Sequence, residues 1–430
     1  RSAVFAPIPN LGLVVVDEEH DGSFKQDTSP RYHGRDLALM RGHKEGCPVL
    51  LGTATPSLES WANVSRSKMT LLRLSERVAA RPMPEVRLLD LRAQSFMDPQ
   101  RIFSRALVEE IQANLTRGEQ TILLMNRRGF AAWILCRSCG EGLTCPACSV
   151  SYTWHRQRNQ LECHYCGRLE RLPKICPHCQ ADSLQEMGFG TERVEEILQG
   201  MVPDGRIARM DRDTTRGHAL TRLLGAFRRR EIDILVGTQM VAKGHDFPGV
   251  TLVGVLLAET GLRLPDFRAA ERTFQLMTQI AGRAGRAERV GRVLVQTYMP
   301  EHYSLMHASA HASEAFLEDE LSMREFRDFP PLSHLALFRV ESTDQDAAWA
   351  ASRRLVGHLT DGCSTEVEIQ GPRLAPVERI KERWRIQILV RSASRTRLSS
   401  SLSAVMFHLD EEPVPSKVNV ILDVDPHSFL

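Results

Sequence analysis

The sequence has no long apolar run. Its longest predominantly apolar stretches, Leu11–Val16 and Val250–Ala258, are well short of the roughly 18 residues of a membrane-spanning helix. Nor does a basic segment followed by an apolar one, typical of a signal peptide, open the chain. These absences exclude a membrane-embedded protein and predict a cytoplasmic one that has no membrane partner.

Lysine and aromatic residues are scarce. Seven of the 55 basic residues are Lys and the rest are Arg, and aromatic residues make up 6% of the chain. Arg binds phosphates and carboxylates well, but a GC-rich genome produces the same bias. The net charge of +2 does not by itself indicate nucleic-acid binding. A length of 430 residues, 42% of them apolar and 25% charged, predicts an ordinary globular protein of two or three domains.

Eight of the ten cysteines form four CxxC pairs within a short segment, which predicts two zinc sites with four Cys ligands each. A disulfide framework would instead suit a small secreted domain. We expect nested pairing, because the 14 residues between Cys148 and Cys163 suffice for a hairpin that joins the inner pairs. The predicted ligands are, for the outer site, Cys136, Cys139, Cys176 and Cys179, and for the inner site, Cys145, Cys148, Cys163 and Cys166. The isolated Cys47 and Cys363 are predicted to be core residues.

Strand-like apolar runs alternate with helical segments, which predicts an α/β fold with parallel sheets. A Pro-rich hinge is expected around Pro82–Pro99. The predicted strands include Leu71–Leu74, Thr121–Leu124, Ile207–Arg209, Ile234–Val236, Thr251–Leu257 and Arg292–Thr297. The predicted organisation comprises residues 1–98 as the remainder of a first lobe, 99–130 as the start of a second lobe, 131–187 as a zinc-binding insertion, 188–300 as the rest of the second lobe, and 301–430 as a C-terminal α+β domain.

Two acids follow the first predicted strand. Asp17 and Glu18 come directly after Leu11–Val16, which is the order of a Walker B motif. In such a motif the first carboxylate holds Mg²⁺ and the second polarises the attacking water. A solvated acidic turn explains these two residues equally well. The segment Gly52–Ser57 follows the next strand and suits a loop that couples nucleotide hydrolysis to movement.

The segment QIAGRAGR contains two arginines three residues apart. Arg283 and Arg286 are predicted to lie on neighbouring turns of one helix face and to act as arginine fingers on a γ-phosphate. A solvated basic helix is the alternative. The glycines between them weaken a helix interior, so we expect a close approach of the backbone to a ligand or a facing lobe. Two further segments, Asn126–Phe130 and Val236–Asp246, are candidates for contacting phosphates or bases, although each is also explained as a surface turn.

Together these segments resemble superfamily-2 helicases, and more narrowly the bacterial replication-restart (PriA, primosomal protein N′) helicase family. The resemblance extends over the whole chain and rests on the ordered segments DEEH, GTATP, LLMNRRGF, GTQMVAKGHDFP, LPDFRAAER and QIAGRAGR, with four CxxC pairs between the third and the fourth. The ending LDVDP is also similar to that of the family.

The resemblance implies two RecA-like lobes that bind ATP and Mg²⁺, and 3′-to-5′ movement on single-stranded DNA at stalled or abandoned forks. It also implies assembly of the primosome with other primosome proteins, the replicative helicase and its loader, and a nucleoid-associated location. Asp17 and Glu18 match the Mg²⁺ and water-activating acids, Arg283 and Arg286 the arginine fingers, and Gln279 a γ-phosphate contact. Two structural zinc ions would organise a region that binds DNA and partners. Arg385 is the candidate contact for the acidic tail of single-strand-binding protein.

The sequence departs from the family pattern because no Gly-Lys pair occurs, so the GxxxxGK[ST] phosphate loop is missing. The family's N-terminal DNA-binding and winged-helix domains are missing too, and the chain begins at Arg1. We therefore expect a truncated sequence, with ATPase activity in the full-length parent and little in this chain. Two alternatives are a non-enzymatic zinc and DNA-binding scaffold, which would not need the motif acids and arginines, and a related translocase that acts on other nucleic acid.

Overall fold

The chain forms two compact units. The first consists mainly of Arg1–Leu71 and Leu317–Leu430, and the second mainly of Leu72–Cys163 and Arg168–Phe316. The structure is a computed structural model, and it describes residues 1–74, 82–125, 133–147, 151–155, 158–163, 167–187, 190–211, 214, 218–242, 247–264, 266–284, 290–362, 366–411 and 414–429.

The second unit is built on a six-stranded parallel sheet with the strand order β10-β11-β4-β12-β13-β3. Its strands are β3 (Glu85–Asp90), β4 (Gln120–Met125), β10 (Ile207–Met210), β11 (Ile234–Gly237), β12 (Val250–Leu256) and β13 (Arg292–Thr297). Its helices are α3 (Arg105–Thr116), α4 (Thr191–Met201), α5 (Ala219–Arg228), α6 (Gln239–Ala242), α7 (Glu259–Leu262), α8 (Ala269–Ala281) and α9 (Tyr303–Ser309).

The three central strands of this sheet are buried along their whole length. Every residue of β4, β11 and β12 is buried, as is typical of parallel strands that are covered on both faces. Helices α3 and α4 pack against them in one apolar core that includes Leu107, Ile111, Leu198, Val236 and Leu252. The apolar runs that predicted these strands reflect this burial.

Between β4 and α4 of the second unit, the described part of the chain forms five short strands that do not belong to the parallel sheet. They are β5 (Trp133–Cys136), β6 (Thr153–His155), β7 (Gln160–Glu162), β8 (Leu169–Arg171) and β9 (Leu184–Met187). Strand β5 pairs antiparallel with β9, and β6, β7 and β8 form a three-stranded antiparallel sheet. This segment is the Cys-rich insertion that the sequence predicts.

The amino-terminal part of the first unit is a small parallel α/β element. Strands β1 (Val14–Asp17) and β2 (Val49–Gly52) pair in parallel, with Asp17 opposite Gly52. The two accompanying helices are α1 (Gly34–Glu45) and α2 (Leu58–Ser65). The predicted order of strand, helix, strand and coupling loop is therefore present.

The carboxyl-terminal part of the first unit is a four-stranded antiparallel sheet with the order β15-β16-β14-β17. It comprises β14 (His334–Ser342), α11 (Gln345–Gly362), β15 (Val367–Ile380), β16 (Arg383–Ser392), α12 (Arg395–Glu411) and β17 (Val418–Val424). Alternate residues of β14, among them Phe338 and Val340, pack with α11 and α12 in a separate apolar core. The helix α10 (Ser313–Phe326) precedes this sheet, which has the α+β character that the sequence predicts.

Lys25 joins the two parts of the first unit. Its ammonium group lies 2.7 Å from the Asp423 carboxylate and donates to the carbonyls of Val424 and Asp425. Because the side chain is buried, its charge is balanced by these acceptors rather than by water.

Two predicted boundaries differ from the structure. Residues 85–90, predicted to belong to the first lobe, form β3 and pair in parallel with β13 at the edge of the second unit. Residues 301–316, predicted to open the C-terminal domain, belong to the second unit, where Phe316 stacks on Phe274 with ring centroids 4.0 Å apart. The β3 sequence carries Glu85 and Arg87 among its apolar residues, because an edge strand is only half covered.

The predicted strand Leu71–Leu74 is also absent, since these residues are irregular and the side chain of Leu74 is 97% exposed. None of the helices in the described ranges combines the length and the apolarity that a bilayer-spanning helix needs.

Candidate metal centre and nucleotide-site motifs

Four cysteine sulfurs come together where β5 and β9 pair. The Sγ atoms of Cys136, Cys139, Cys176 and Cys179 all lie within 4.8 Å of one another. The antiparallel pairing of β5 with β9 places the two outer CxxC turns side by side, although they are far apart in sequence. The four residues are those that nested pairing assigns to the outer site.

The two CxxC turns of this cluster share one backbone geometry. In the first turn the Gly140 amide donates to the Cys136 carbonyl at 2.8 Å, and the Cys136 amide donates to the carbonyl five residues further on. The same two bonds form at Cys176, where Gln180 replaces Gly140. Both Gly140 and Gln180 have positive φ angles, of 80° and 63°. This turn directs two sulfurs of each pair to one point.

The spacing of the sulfurs fits a tetrahedral zinc ion. The Sγ atoms of Cys136 and Cys179 are 3.6 Å apart, and those of Cys139 and Cys176 are 3.8 Å apart. Four thiolates at about 2.3 Å from one ion would be separated by about 3.8 Å, whereas a disulfide needs about 2.05 Å. The donor set therefore suits zinc, and a zinc-binding role for this Cys-rich region follows from it.

The inner cysteines are described only in part. Cys145 and Cys163 are buried, whereas Cys148 and Cys166 lie outside the described residues. The Cys163 amide donates to the carbonyl five residues on, and Gly167 has a φ of 75°, so this turn shares two features of the outer turns. Strands β6 and β7 supply the hairpin expected between the inner pairs.

The first CxxC turn packs directly against the parallel sheet of its own unit. A Cβ atom on Gly140 would lie 2.4 Å from the Tyr298 carbonyl oxygen, and one on Gly142 would lie 2.7 Å from the Arg263 guanidinium. Arg263 also lies 6.0 Å from the ring centroid of Trp133, and burial lowers its pKa. Glycine at these two positions lets the Cys-rich turn approach the sheet closely. Sequence reasoning did not identify Arg263.

The predicted Walker B acids follow β1 as expected. Asp17 is the last residue of β1 and Glu18 follows it, and both side chains are exposed. Glu18 has a φ of 50°, a strained conformation of a kind that clusters at functional sites. Within the described residues Asp17 has no ion pair, and Glu18 is near His20 alone, at 3.6 Å. The exposed carboxylates of Asp17 and Glu18 are hard oxygen donors of the kind that fits Mg²⁺.

The third acid of this segment has a different role that the sequence did not reveal. The Glu19 carboxylate is fully buried and accepts from Arg35 at 3.0 Å, from the Ser57 amide at 2.6 Å and from the hydroxyls of Ser57 and Ser60, each at 2.9 Å. Burial opposes the charge of Arg35, but neighbouring carboxylates, Glu19 among them, outweigh it and raise the pKa of this guanidinium. Ser57 also caps α2.

The predicted coupling loop contacts the acid segment at a second point. The Nδ1 atom of His20 lies 2.8 Å from the Thr53 hydroxyl, and the same hydroxyl accepts from the Thr55 amide at 3.0 Å. With the bonds from Ser57 to Glu19, two consecutive residues of DEEH are tied to the segment Gly52–Ser57. A movement at either segment would therefore affect the other.

The arginine-finger segment differs from the prediction in one respect. Helix α8 contains Gln279 but ends at Ala281, and Gly282 is its C-cap. Arg283 therefore follows the helix end rather than lying on α8, and its amide donates to the Ile280 carbonyl at 2.9 Å. Arg286 lies outside the described residues, as do Asn126–Phe130 and residues 243–246 of the other basic segments.

The candidate partner contact is buried. Arg385 on β16 is 4% exposed, its Nε lies 3.5 Å from Glu341, and it donates to the Val377 carbonyl. Burial and the neighbouring Arg339 lower the pKa of Arg385 to about 10. The guanidinium therefore already has acceptors inside its own unit.

Family models match three successive parts of the chain. The PriA DNA helicase Cys-rich region domain matches residues 145–171, the helicase conserved C-terminal domain matches residues 187–288, and the primosomal protein N C-terminal domain matches residues 326–427. The parallel sheet with its Cys-rich insertion thus defines a protein with a helicase C-terminal domain.

Curated relatives are similar over the whole chain. The replication restart protein PriA of Bacillus subtilis (strain 168) is 43% identical over 431 residues, which cover 100% of this chain and 54% of that protein. Its counterpart in Treponema pallidum (strain Nichols) is 41% identical over 434 residues, which cover 100% of this chain and 64% of that protein. The chain belongs to the PriA family of replication restart proteins, and it spans about half to two thirds of the length of these relatives.

Proposed function

We propose that this chain is part of an ATP-dependent 3′-to-5′ DNA helicase that recognises stalled or abandoned replication forks and initiates primosome assembly. The observation that carries the proposal is the four-cysteine cluster in an insertion within a helicase-type parallel sheet. Its proposed partners are forked and single-stranded DNA, other primosome proteins, and the replicative helicase with its loader.

The proposed nucleotide chemistry assigns a role to each motif residue. Asp17 would hold Mg²⁺, which neutralises charge on the phosphates, and Glu18 would orient the attacking water. Gln279, Arg283 and Arg286 would contact the γ-phosphate. The tie from Glu19 and His20 to the loop Gly52–Ser57 would transmit the state of these acids to the rest of the first unit.

The proposed zinc chemistry is structural. Eight thiolates would hold two ions, four from the outer pairs and four from the inner pairs, and no position is left open for substrate. The acidic tail of single-strand-binding protein is a further proposed partner; its candidate contact, Arg385, would have to exchange Glu341, 3.5 Å away, for a carboxylate of the tail.

Two measurements test this proposal. Metal analysis of the purified chain should give about two zinc ions per chain, and Cys136→Ser with Cys176→Ser should remove one of them. The chain should also bind forked DNA with a single-stranded arm. A chain that folds without zinc and does not bind forked DNA would contradict the proposal.

Helicase activity should be measured on the full-length protein purified from its native source, because this chain spans only part of the length of its relatives. ATP-driven separation of forked DNA is expected, and Asp17→Asn should abolish turnover while leaving DNA binding intact. No ATP hydrolysis by the parent protein would favour a non-enzymatic scaffold, whereas unchanged turnover in Asp17→Asn would overturn the role proposed for Asp17.

A further inference from the structure

A cleft opens at the amino-terminal edge of the parallel sheet. Its volume is about 310 Å³, and it is lined by Arg228, Arg230, Pro248 and Gly249. Strands β11 and β12 begin a few residues after these positions. The predicted basic segments Asn126–Phe130 and Val236–Asp246 come instead at the carboxyl ends of β4 and β11, so the cleft lies at the opposite edge of the sheet from those strand ends.

Two arginines of the cleft have no acidic partner. Arg228 and Arg230 are exposed, and neither makes an ion pair with an acid of the described chain. Arg229, between them, is paired with Glu231 at 2.7 Å. Residues 219–230 contain four Arg and no acid. The cleft is therefore a local concentration of uncompensated positive charge in a protein whose net charge is only +2.

Hydrogen bonds from the buried Gln120 hold the wall of the cleft that carries Arg228 and Arg230. The buried Gln120 side chain donates to the Phe227 carbonyl at 2.7 Å and to the Ile232 carbonyl at 2.8 Å. The first of these bonds satisfies a carbonyl in the last turn of α5, whose dipole opposes an anion there, so the charges of the two guanidinium groups must outweigh it. Arg206 in turn donates to the Arg230 carbonyl at 2.7 Å.

Gly249 keeps the opposite wall open. A Cβ atom at this position would lie 2.3 Å from Oε1 of Gln120 and 3.4 Å from Nε of Arg230. The Arg230 guanidinium therefore passes over bare backbone. Of the lining residues, Pro248 alone has an apolar side chain, so the cleft offers no apolar pocket for a peptide side chain.

We propose that this cleft binds a phosphate group of the DNA backbone, with the guanidinium groups of Arg228 and Arg230 as the donors. The inference rests on the proposed function, since it assigns a further DNA contact to the same protein. Arginine suits phosphate because its planar fork can donate two parallel hydrogen bonds. The contact would contribute affinity without reading sequence.

The test compares three single variants of the chain. Arg228→Ala and Arg230→Gly each remove one proposed donor. Because Arg230 has a φ of 60°, glycine relieves backbone strain there, and the variant should fold at least as well as the parent. Arg229→Ala is the matched control, since it removes an arginine of the same run that is already paired. Binding of a labelled oligonucleotide is measured by fluorescence anisotropy over a series of salt concentrations.

Each proposed donor should contribute to the salt dependence. The slope of log affinity against log salt should become shallower by about one in Arg228→Ala and in Arg230→Gly, and stay at the parent value in Arg229→Ala. Parent slopes in all three variants, or an equal loss in Arg229→Ala, would overturn the inference. So would an acidic peptide whose binding needs both arginines while DNA binding does not. If the parent chain binds no DNA at all, the proposed function itself fails.

Discussion

At the scale of single residues, the third acid of DEEH stabilises the fold while its two neighbours face solvent. Asp17 and Glu18 are exposed at the end of β1, whereas Glu19 is fully buried among one arginine and two serines. Three adjacent acids thus have two different roles. Glu18 and Glu19 lie past the end of β1, and Glu18 has a φ of 50°, so the turn that follows the strand decides which carboxylate is buried.

Glu19→Ala should destabilise the first unit strongly. Arg35 keeps its bond to Asp36 at 2.9 Å, but it loses a fully buried partner, and the buried Ser57 amide loses its acceptor. Breaking a buried pair of this kind costs about 3–5 kcal/mol. Chemical denaturation followed by circular dichroism measures the change. Glu45→Ala is the control, because Glu45 is an exposed partner of Arg41 on α1, and surface pairs of this kind contribute about 0.5 kcal/mol. Equal effects of the two variants would show that the Glu19 network is not a stabilising contact.

His302 should make the second unit sensitive to acid. Burial, with the charge of Arg263 adding to it, lowers the pKa of His302 to about 4 from its ordinary 6.5. A lowered histidine pKa means that the unfolded state binds the proton more readily, so stability present above pH 6.5 is lost as the pH falls toward 4.

His302→Asn should flatten that loss. Asparagine cannot titrate, and it keeps an acceptor for the Ser304 amide that His302 caps at the start of α9. Unfolding free energies at several pH values between 4 and 7 check this expectation. A pH profile identical to that of the parent would mean that other groups control the acid response.

At the scale of elements, the CxxC turns combine a metal site with a packing contact. Gly140 has a φ of 80° and also approaches Tyr298, so its position carries two constraints. Gly118, in the turn between α3 and β4, has a φ of 66° but nothing within 4 Å of its Cβ position. Alanine at Gly118 would add only the cost of a left-handed backbone, whereas alanine at Gly140 would add that cost and a clash with Tyr298.

Gly140→Ala should cost clearly more than Gly118→Ala. Alanine in a left-handed conformation costs about 1–2 kcal/mol at either position, and only at Gly140 must the turn also move away from Tyr298. We expect Gly140→Ala to release zinc at a lower chelator concentration than the parent, and Gly118→Ala to retain it. Thermal unfolding and a colorimetric zinc assay measure the two effects. Equal zinc retention would show that the contact with Tyr298 is dispensable.

Buried strands were easier to predict from the sequence than edge strands or exposed segments. The strands β4, β11, β12 and β13 were predicted close to their observed bounds because buried parallel strands are continuous apolar runs. The hinge predicted around Pro82–Pro99 contains the strand β3, whose apolar pattern is weak because an edge strand needs fewer apolar residues. Leu71–Leu74 is apolar yet irregular, and no β-pairing in the described residues includes it. Apolar composition thus predicted strands well only where both faces of the sheet are covered.

At the scale of the whole molecule, the Cys-rich insertion (strands β5–β9, here the zinc region) and the parallel sheet of the second unit have separate apolar cores. The apolar core around Leu107, Leu198 and Val236 contains no residue of β5–β9. A smaller cluster joins Trp133 and Met187 of the zinc region to Leu257 and Tyr298. Metal removal should therefore loosen the zinc region without unfolding the sheet.

Chelation should expose Trp133 while the central strands stay protected. Trp133 is 6% exposed and lies three residues before Cys136 on β5. We expect a red shift of its fluorescence, with rapid hydrogen exchange at β5 and β9 and unchanged protection at β4 and β12. The Trp133→Phe variant identifies the fluorescence signal. Simultaneous loss of protection in β4 would contradict independent packing.

The sequence by itself determined the fold class, the Cys-rich insertion and the family, because buried strands leave apolar runs and motifs are read directly from spacing. Four CxxC pairs, the acids after an apolar strand and the ordered helicase motifs were sufficient to predict the parallel α/β fold, the Cys-rich insertion and the family. Only the tertiary structure decided which residues support these motifs. The burial of Glu19, the packing of Gly140 on Tyr298 and the cleft at Arg228 and Arg230 all depend on contacts between residues distant in sequence. Such contacts leave no periodic pattern in the chain, so folding alone brings them together.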